Sequence, residues 1–327
     1  MNMTRRRALS LLLAPLAMAG LSRTAMAQGY PNRPIRLVVP MPPGGGTDYW
    51  ARLSATRMST ILGQQVIVDN RPGAGTRIAA EQVMRSDPDG YTVMVGDIGT
   101  FAVNPSLYPK LGYDPLRDFT PITLTSRQAL VMVVPAASGI SDLRTLVARA
   151  KADPGGVNYG SAGIGSPHHL AMEMFQGMAN VRMNHIAYKG GSPMSLDLVG
   201  GQLSVAFLDL PSAMPHLKSG KLRGLAVFSE KRLSSFPQIP TMAESGYPGE
   251  VVEAWQGIVV PTGTSREIVA QLNRTYLDVS KDPEITRKLD EMGMEATPST
   301  PDAFAAYIKA EERKWAPLIH DKNITAD

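Results

Sequence analysis

Two glycine-rich stretches carry residue types that could do chemistry. The first is "PMPPGGGTDYW" (40–50), in which Gly44, Gly45 and Gly46 run into Thr47 and Asp48. A glycine turn that opens a helix gathers free backbone N–H groups at the positive end of the helix dipole, and that suits an anion. Phosphate loops of this kind close with Gly-Lys-Ser/Thr, whereas this loop has no lysine. The anion that fits is a compact carboxylate held by neutral donors. The second stretch, "YGSAGIGSPHHL" (159–170), repeats the device. Ser161, Ala162 and Gly165 lie in the turn, Ser166 suits an N-cap, and Pro167 suits the first helical position.

Three further loops offer polar or aromatic groups. "GDIGTFAVNP" (96–105) carries Thr100 and Phe101, "YKGGSP" (188–193) carries Tyr188 and Gly190, and "FLDLPS" (207–212) carries Asp209. Each alone is ordinary loop material. Their common position is the stronger signal: all follow expected strands, where open α/β sheets bind ligands. Other chemistries fit less well. Ser166 with His169 could make a hydrolase pair, but no G-x-S-x-G elbow occurs and near neighbours in sequence rarely form a triad. His168 and His169 are adjacent, with a single carboxylate, Glu173, at i+4 of the second, and such a pair makes a poor metal site. Packing or capping is the expected role of either histidine alone.

The elements that must position these loops alternate between short β-rich runs and amphipathic helical runs, the pattern of an α/β protein. Strands are expected at 35–40, 65–70, 91–96, 129–135, 157–161, 184–188, 203–209, 222–229 and 253–261. Helices are expected at 47–62, 74–86, 141–154, 166–179, 192–201, 211–220, 264–280, 283–292 and 301–319. "ALVMVVP" (129–135) and "WQGIVVP" (255–261) share an ending and flank the middle block. They are the natural strands for a chain that crosses twice between two domains. That division gives one domain at 129–250 and a discontinuous one made of 28–128 and 251–327.

Composition narrows the classes. Residues 1–27 join Arg5-Arg6-Arg7 to an apolar run and end in Ala25-Met26-Ala27, the layout of an export signal cleaved after Ala27. Either the twin-arginine or the Sec route fits. This segment holds four arginines and no acid, so 29 of the 33 Lys+Arg remain afterwards, against 29 Asp+Glu. A neutral mature chain gives no electrostatic case for nucleic acid. The chain has no cysteine, which excludes disulfides, thiolate metal sites and a lipid-anchored cysteine.

"YPNRPIRLVVPMPPGGGTD", "VDNRPGAGTRIAAEQV", "DPDGYTVMVG", "NPSLYPKLGYDPLRDFTPI", "YGSAGIGSPHHLAMEMF", "AYKGGSP", "GGQLSVAF" and "PHLKSGKLRGLAV" occur in order along the chain. Over about three hundred residues they resemble the solute-binding proteins of tripartite tricarboxylate transporters, the Bug-type family. The resemblance implies a two-domain Venus-flytrap fold and binding without catalysis or cofactor. It implies a small organic acid as ligand, an integral-membrane permease as partner, a periplasmic location and a monomer. It places ligand contacts at Gly45, Gly46, Thr47, Asp48 and Thr100, and opposite them at Ser161, Ala162, Gly165, Ser166, Tyr188 and Gly190. A receptor of the same fold that feeds a sensor protein is the alternative. Two positions depart from the family: Met41 replaces an aromatic residue, and Leu208 stands where many relatives carry an acid, with Asp209 beside it. On an alternating strand these two face opposite ways, which argues against a ligand with an ammonium group.

Overall fold

The computed structural model describes residues 29–249 and 251–326; the export signal expected over residues 1–27 lies outside them. The chain begins with β1 (Ile35–Val39), α1 (Gly46–Leu62), β2 (Val66–Asn70), α2 (Arg77–Met84) and β3 (Thr92–Asp97). A π-helical turn at Gly99–Val103 then leads into the short α3 (Asn104–Leu107). The long strand β4 (Phe119–Pro135) is followed by α4 (Leu143–Ala152), β5 (Asn158–Ser161), α5 (Pro167–Ala179) and β6 (Asn184–Ala187). Next come α6 (Gly191–Val199), β7 (Val205–Asp209), α7 (Leu210–Lys218) and β8 (Leu222–Phe228). The chain finishes with β9 (Glu253–Pro261), α8 (Arg266–Ser280), α9 (Pro283–Glu291), β10 (Met294–Ala296) and α10 (Pro301–Asp321).

Two sheets share β4. Its first part, Phe119–Ala129, pairs antiparallel with β9, and β9 pairs on its other side with β3. Strands β2, β1 and β3 run parallel beyond it. From Leu130 onward β4 pairs with β7 and β8 instead, and parallel β5 and β6 continue that second sheet. Strands β8 and β9 lie end to end along β4: Phe228 faces Leu130, and Glu253 faces Ala129. The return crossing therefore takes the form of two abutting strands, β8 and β9, rather than one continuous strand.

Strand β4 starts ten residues before the stretch read from sequence. Its leading half, "FTPITLTSRQ", looks like a polar linker because of its Thr and Ser residues. In the fold the hydroxyls of Thr123, Thr125 and Ser126 are buried and satisfied. Thr125 Oγ1 donates to the Gln256 carbonyl, Ser126 Oγ to Gln256 Oε1, and Thr123 Oγ1 to the Leu124 carbonyl. The run is also rich in β-branched residues, which favour a pleated, packed surface. Strand β10 was not legible either; three residues pairing with Ser126–Gln128 give too short a pattern.

Each sheet is covered by helices, and its apolar side chains form the cores. Trp50, Met58 and Ala51 of α1 pack with Leu37, Val39 and Tyr276 on one side of the first sheet. Met194 and Leu198 of α6 pack with Val131, Val133 and Leu208 of the second. A third cluster runs continuously from Val38 and Phe101 to Tyr159 and Phe175, so both sheets are welded to shared apolar packing near the crossing. The parallel strands of the two sheets end facing a common space, and this brings the glycine loops together.

Candidate functional site

Four helices start at one cavity. Gly45, Gly46 and Thr47 reach it from the head of α1, and Ser166, Pro167 and His168 from the head of α5. Gly190, Gly191 and Ser192 reach it from the head of α6, and Asp209 from the cap of α7. Gln128 of β4 and Ala254, Trp255 and Gln256 of β9 form the floor; Met41, Pro42, Asp97 and Ala162 complete the wall. The enclosed space is about 40 Å³, on the order of three water positions. Among the described residues lining it there is no lysine or arginine. Positive potential comes from helix dipoles and unpaired N–H groups alone.

Local sequence explains each loop. Gly44 adopts a φ of +93°, which glycine tolerates without strain. Gly46 is needed for a different reason: a Cβ there would lie 2.3 Å from Gln128 Oε1. A Cβ at Gly45 would meet nothing within 4 Å, so this residue leaves its peptide open to the cavity. Gly190 has a φ of +121° and packs against Pro42, 3.0 Å from where a Cβ would be. Beside it Ser192 Oγ donates to the Pro43 carbonyl at 3.2 Å, a hydrogen bond that joins the α6 loop to the α1 loop across the mouth. At α5, Ser166 is the N-cap expected from sequence, with Oγ accepting from the His169 N–H.

Asp48 lies outside the lining, and its carboxylate is spent on the loop. Oδ2 accepts from the Gly44 N–H and from Arg52 Nε, and Oδ1 accepts from Asn70 Nδ2. Asn70 Nδ2 also donates to the Met41 carbonyl. Asp48 thus ties the start of α1, the end of β2 and the glycine loop into one piece. Burial pushes its carboxyl up, but Arg52, Gly44 and Asn70 together outweigh that and hold it below the usual range. Thr47 is a lining residue, and its hydroxyl accepts from Gln256 Nε2 at 3.3 Å.

Thr100 and Phe101 sit one layer behind the cavity. Thr100 donates its N–H and its hydroxyl to Asp97 Oδ1, at 2.9 and 2.7 Å, and Asp97 is the residue that reaches the wall. Burial pushes the Asp97 carboxyl above its ordinary value despite those bonds. Phe101 stacks on Trp255 with centroids 6.3 Å apart. The Trp255 indole also donates to Glu311 Oε2 of α10 at 2.8 Å, so the aromatic floor is fixed from beneath.

On the opposite side, Ser161, Gly165 and Tyr188 do not line the cavity. Ser161 Oγ contacts His185 Nε2 at 2.6 Å, and Tyr188 donates to Asp197. The Gly165 N–H donates to His169 Nδ1. His169 then stacks on His185 with centroids 4.0 Å apart, and Tyr159 closes the stack. Burial pushes both histidines down to about 4. With Nδ1 accepting from Gly165 and its ring locked in this stack, His169 is not placed as a base for Ser166, which rules out the hydrolase arrangement. His168 behaves differently: it faces the cavity, and Nε2 lies 3.5 Å from Asp209 Oδ2. Asp209 also caps α7 by accepting from the Ser212 N–H. Burial pushes the Asp209 carboxyl up, but His168 and Ser212 outweigh it and leave it below the usual range.

Sequence reasoning missed Gln128, Trp255, Gln256 and the cavity role of His168. A signal existed for Gln256, a large polar residue within a strand read as buried, but not for Gln128, which lies in the half of β4 that reads as a polar linker. It also placed Leu208 and Asp209 on opposite faces, and in the fold it is Asp209 that joins the wall while Leu208 enters the core.

The tripartite tricarboxylate transporter family receptor profile matches residues 50–324. The chain belongs to this receptor family. Protein BugT of Bordetella pertussis is 36% identical over 322 residues, 98% of this chain and 98% of that protein. Among solved structures, R. palustris Rpa4515 with adipate is 35% identical with a TM-score of 0.88, covering 91% of this chain and 100% of that one. MatC from Rhodopseudomonas palustris with bound malate is 30% identical with a TM-score of 0.83, covering 89% and 100%. The receptor therefore has the periplasmic binding protein fold of these relatives, the architecture that the resemblance implied. Family and neighbours are solute-binding proteins, and among the described residues no helix is long and apolar enough to cross a membrane.

Proposed function

We propose that this receptor captures a small organic carboxylate in the cavity between its two sheets and presents it to an integral-membrane permease. The observation that carries this reading is the convergence of four helix N-termini on a cavity whose described lining has no lysine or arginine. Such a site favours a compact anion through N–H donors and dipoles. The adipate and malate bound by the two relatives are anions of this kind. With Asp209 already engaged by Ser212 and His168, the site offers an incoming ammonium no free carboxylate there, and this favours an acid without an amine.

The change of partners along β4 at Ala129–Leu130 supports two domains, one at 129–250 and one made of 28–128 and 251–327. Hinge closure would bend β4 and the β8–β9 junction. Ligand is released unchanged: Ser166 and His168 share the wall, but no hydrogen bond joins them, and Ser166 Oγ caps α5. The mature receptor starts at Gln28 after export to the periplasm and acts as a monomer.

The test is a thermal-shift screen of residues 28–327, refolded to strip carried-over ligand, against mono-, di- and tricarboxylates, amino acids and neutral amides. A ligand at a hundred times its dissociation constant stabilises by about 2.7 kcal/mol. A shift from carboxylates and not from amides is the expected result. A shift from neutral compounds alone would overturn the reading.

A further inference from the structure

The cavity wall contains buried polar atoms that the protein leaves without partners, and His168 is the most consequential of them. The residue is 7% exposed, and neither ring nitrogen makes a hydrogen bond. Buried polar groups are nearly always satisfied, and an orphaned one costs free energy unless a ligand or water completes it. His169, its neighbour, accepts from Gly165 and stacks on His185; only His168 is left with both nitrogens open.

The surroundings decide what an incoming anion must do. One ring nitrogen of His168 looks at Asp209 Oδ2, 3.5 Å away. The other has no hydrogen-bond partner in the protein, on a residue that lines the cavity. A neutral imidazole has one N–H and one lone pair. With an anion on either side, a neutral ring must point its lone pair at one of them. An imidazolium has two N–H groups and satisfies both. Resting on the carboxylate reading above, we propose that His168 contacts the bound carboxylate and takes up a proton as it binds, so that affinity rises as pH falls.

The groups around it support this assignment. Asp209, at the end of β7, and Asp97, at the end of β3, are the acids that share the wall with His168. The floor from β4 and β9 presents Gln128, Trp255 and Gln256, and the head of α6 presents Ser192; none of these titrates near neutrality. Tyr159 of β5 and His185 of β6 stack with His169 instead. Burial holds His169 and His185 at about 4, well below neutral pH. Asp97 is the other group able to gain a proton there.

Isothermal titration with adipate and with malate, at pH 6 and pH 8 and in buffers of different ionisation enthalpy, tests the proposal. Simple carboxylic acids stay largely ionised above about pH 6, so the ligand's own titration contributes little. The expected result is fractional proton uptake at pH 7 and binding about three- to tenfold tighter at pH 6 than at pH 8; one fully linked proton sets a ceiling of about tenfold per pH unit. His168→Gln keeps a hydrogen-bonding side chain and should abolish both the uptake and the pH dependence, whereas Asp97→Asn should keep them. Ligand-free melting temperatures show that each variant is folded. Binding that is flat with pH in the unmodified receptor overturns the proposal, as does uptake that survives in His168→Gln and vanishes in Asp97→Asn. If neither acid gives heat, the titrations use a carboxylate that shifts the protein in the thermal screen; if no carboxylate in that screen shifts it, the carboxylate reading of the site falls too, which separates the two failures.

Discussion

The two sides of the cavity are built in opposite ways. On the α1 side the loop's key polar side chains are committed within the protein: Asp48 holds Gly44, Arg52 and Asn70, and Thr47 meets Gln256, which in turn accepts from Ser126. What this side offers a ligand is backbone. On the α5–α7 side a lining side chain is left without hydrogen bonds: His168, whose Nε2 only faces Asp209 at 3.5 Å. A side made of fixed peptide N–H groups accepts any small carboxylate that fits. A side made of unpaired side-chain atoms distinguishes one carboxylate from another, because leaving a buried polar atom unmatched is costly. The comparison suggests that the first loop supplies affinity for the anion and the second set supplies its identity.

The strongest way to break that comparison is Asp48→Ala. It releases Gly44, Arg52 and Asn70 together without touching any lining residue. Loss of these charge-assisted bonds should cost about 2–3 kcal/mol in chemical denaturation, discounted because Arg52 is half exposed. Affinity should fall about a hundredfold for every carboxylate alike, since about 2.7 kcal/mol of preorganisation corresponds to that factor. The pH dependence follows from the sign of the shift. The Asp48 carboxyl is held below its ordinary value in the folded state, so its contribution is fully present above the unfolded value near about 4. It is lost as pH falls through the folded value, and wild type and variant should converge in strong acid. Ligand-selective loss, rather than uniform loss, would place Asp48 among the specificity residues.

A smaller and sharper test is Gly46→Ala beside Gly45→Ala. A Cβ at Gly46 would collide with the Gln128 amide, whereas one at Gly45 meets nothing. Because Gln128 is a flexible side chain whose Oε1 has no partner, it would give way by moving in the cavity. Overpacking of this sort costs about 1–3 kcal/mol, so affinity at Gly46→Ala should drop about tenfold. The melting temperature should hardly fall, since alanine is the better helix former by about 1 kcal/mol. Gly45→Ala should leave the unliganded protein unchanged and weaken binding only if the ligand approaches that peptide closely. Equal affinities for the two variants would remove Gln128 from the site.

What was legible in the sequence divides along the same line. Strand-end glycine loops announce themselves locally, and six of the seven expected lining residues that reach the cavity (Gly45, Gly46, Thr47, Ala162, Ser166 and Gly190) sit in them; the seventh, Asp209, follows a strand in a loop without glycine. Roles set by tertiary neighbours were not legible. Asp48 follows the loop immediately, yet its partners include Asn70, 22 residues on. Gln128 and Trp255 become a floor only when β4 and β9 pair across more than a hundred residues. His168 and His169 are one residue apart on a helix, which turns adjacent side chains by about 100°. Nothing in the pair says which of them meets the cavity and which meets His185. Thr100 and Phe101 lie one layer behind the lining, on a π-helical turn that has no sequence periodicity to read.

The smallest expected effect tests the seam between the two sides. Ser192 Oγ donates to the Pro43 carbonyl, the hydrogen bond that spans the mouth beside the Gly190–Pro42 contact. It is solvent-exposed, so Ser192→Ala should remove only the lower part of the usual 0.5–1.5 kcal/mol, about a two- to threefold loss of affinity. If the bond acts as a latch on the closed state, the loss belongs in the dissociation rate, with association unchanged. Stopped-flow measurement of both rates separates this from a direct ligand contact through the same hydroxyl. A direct contact would change the ranking among carboxylates, whereas a latch slows the release of all of them equally. Because Ser192 sits on the side assigned to ligand identity, a uniform effect would show that this side also carries a closure element that is blind to the ligand.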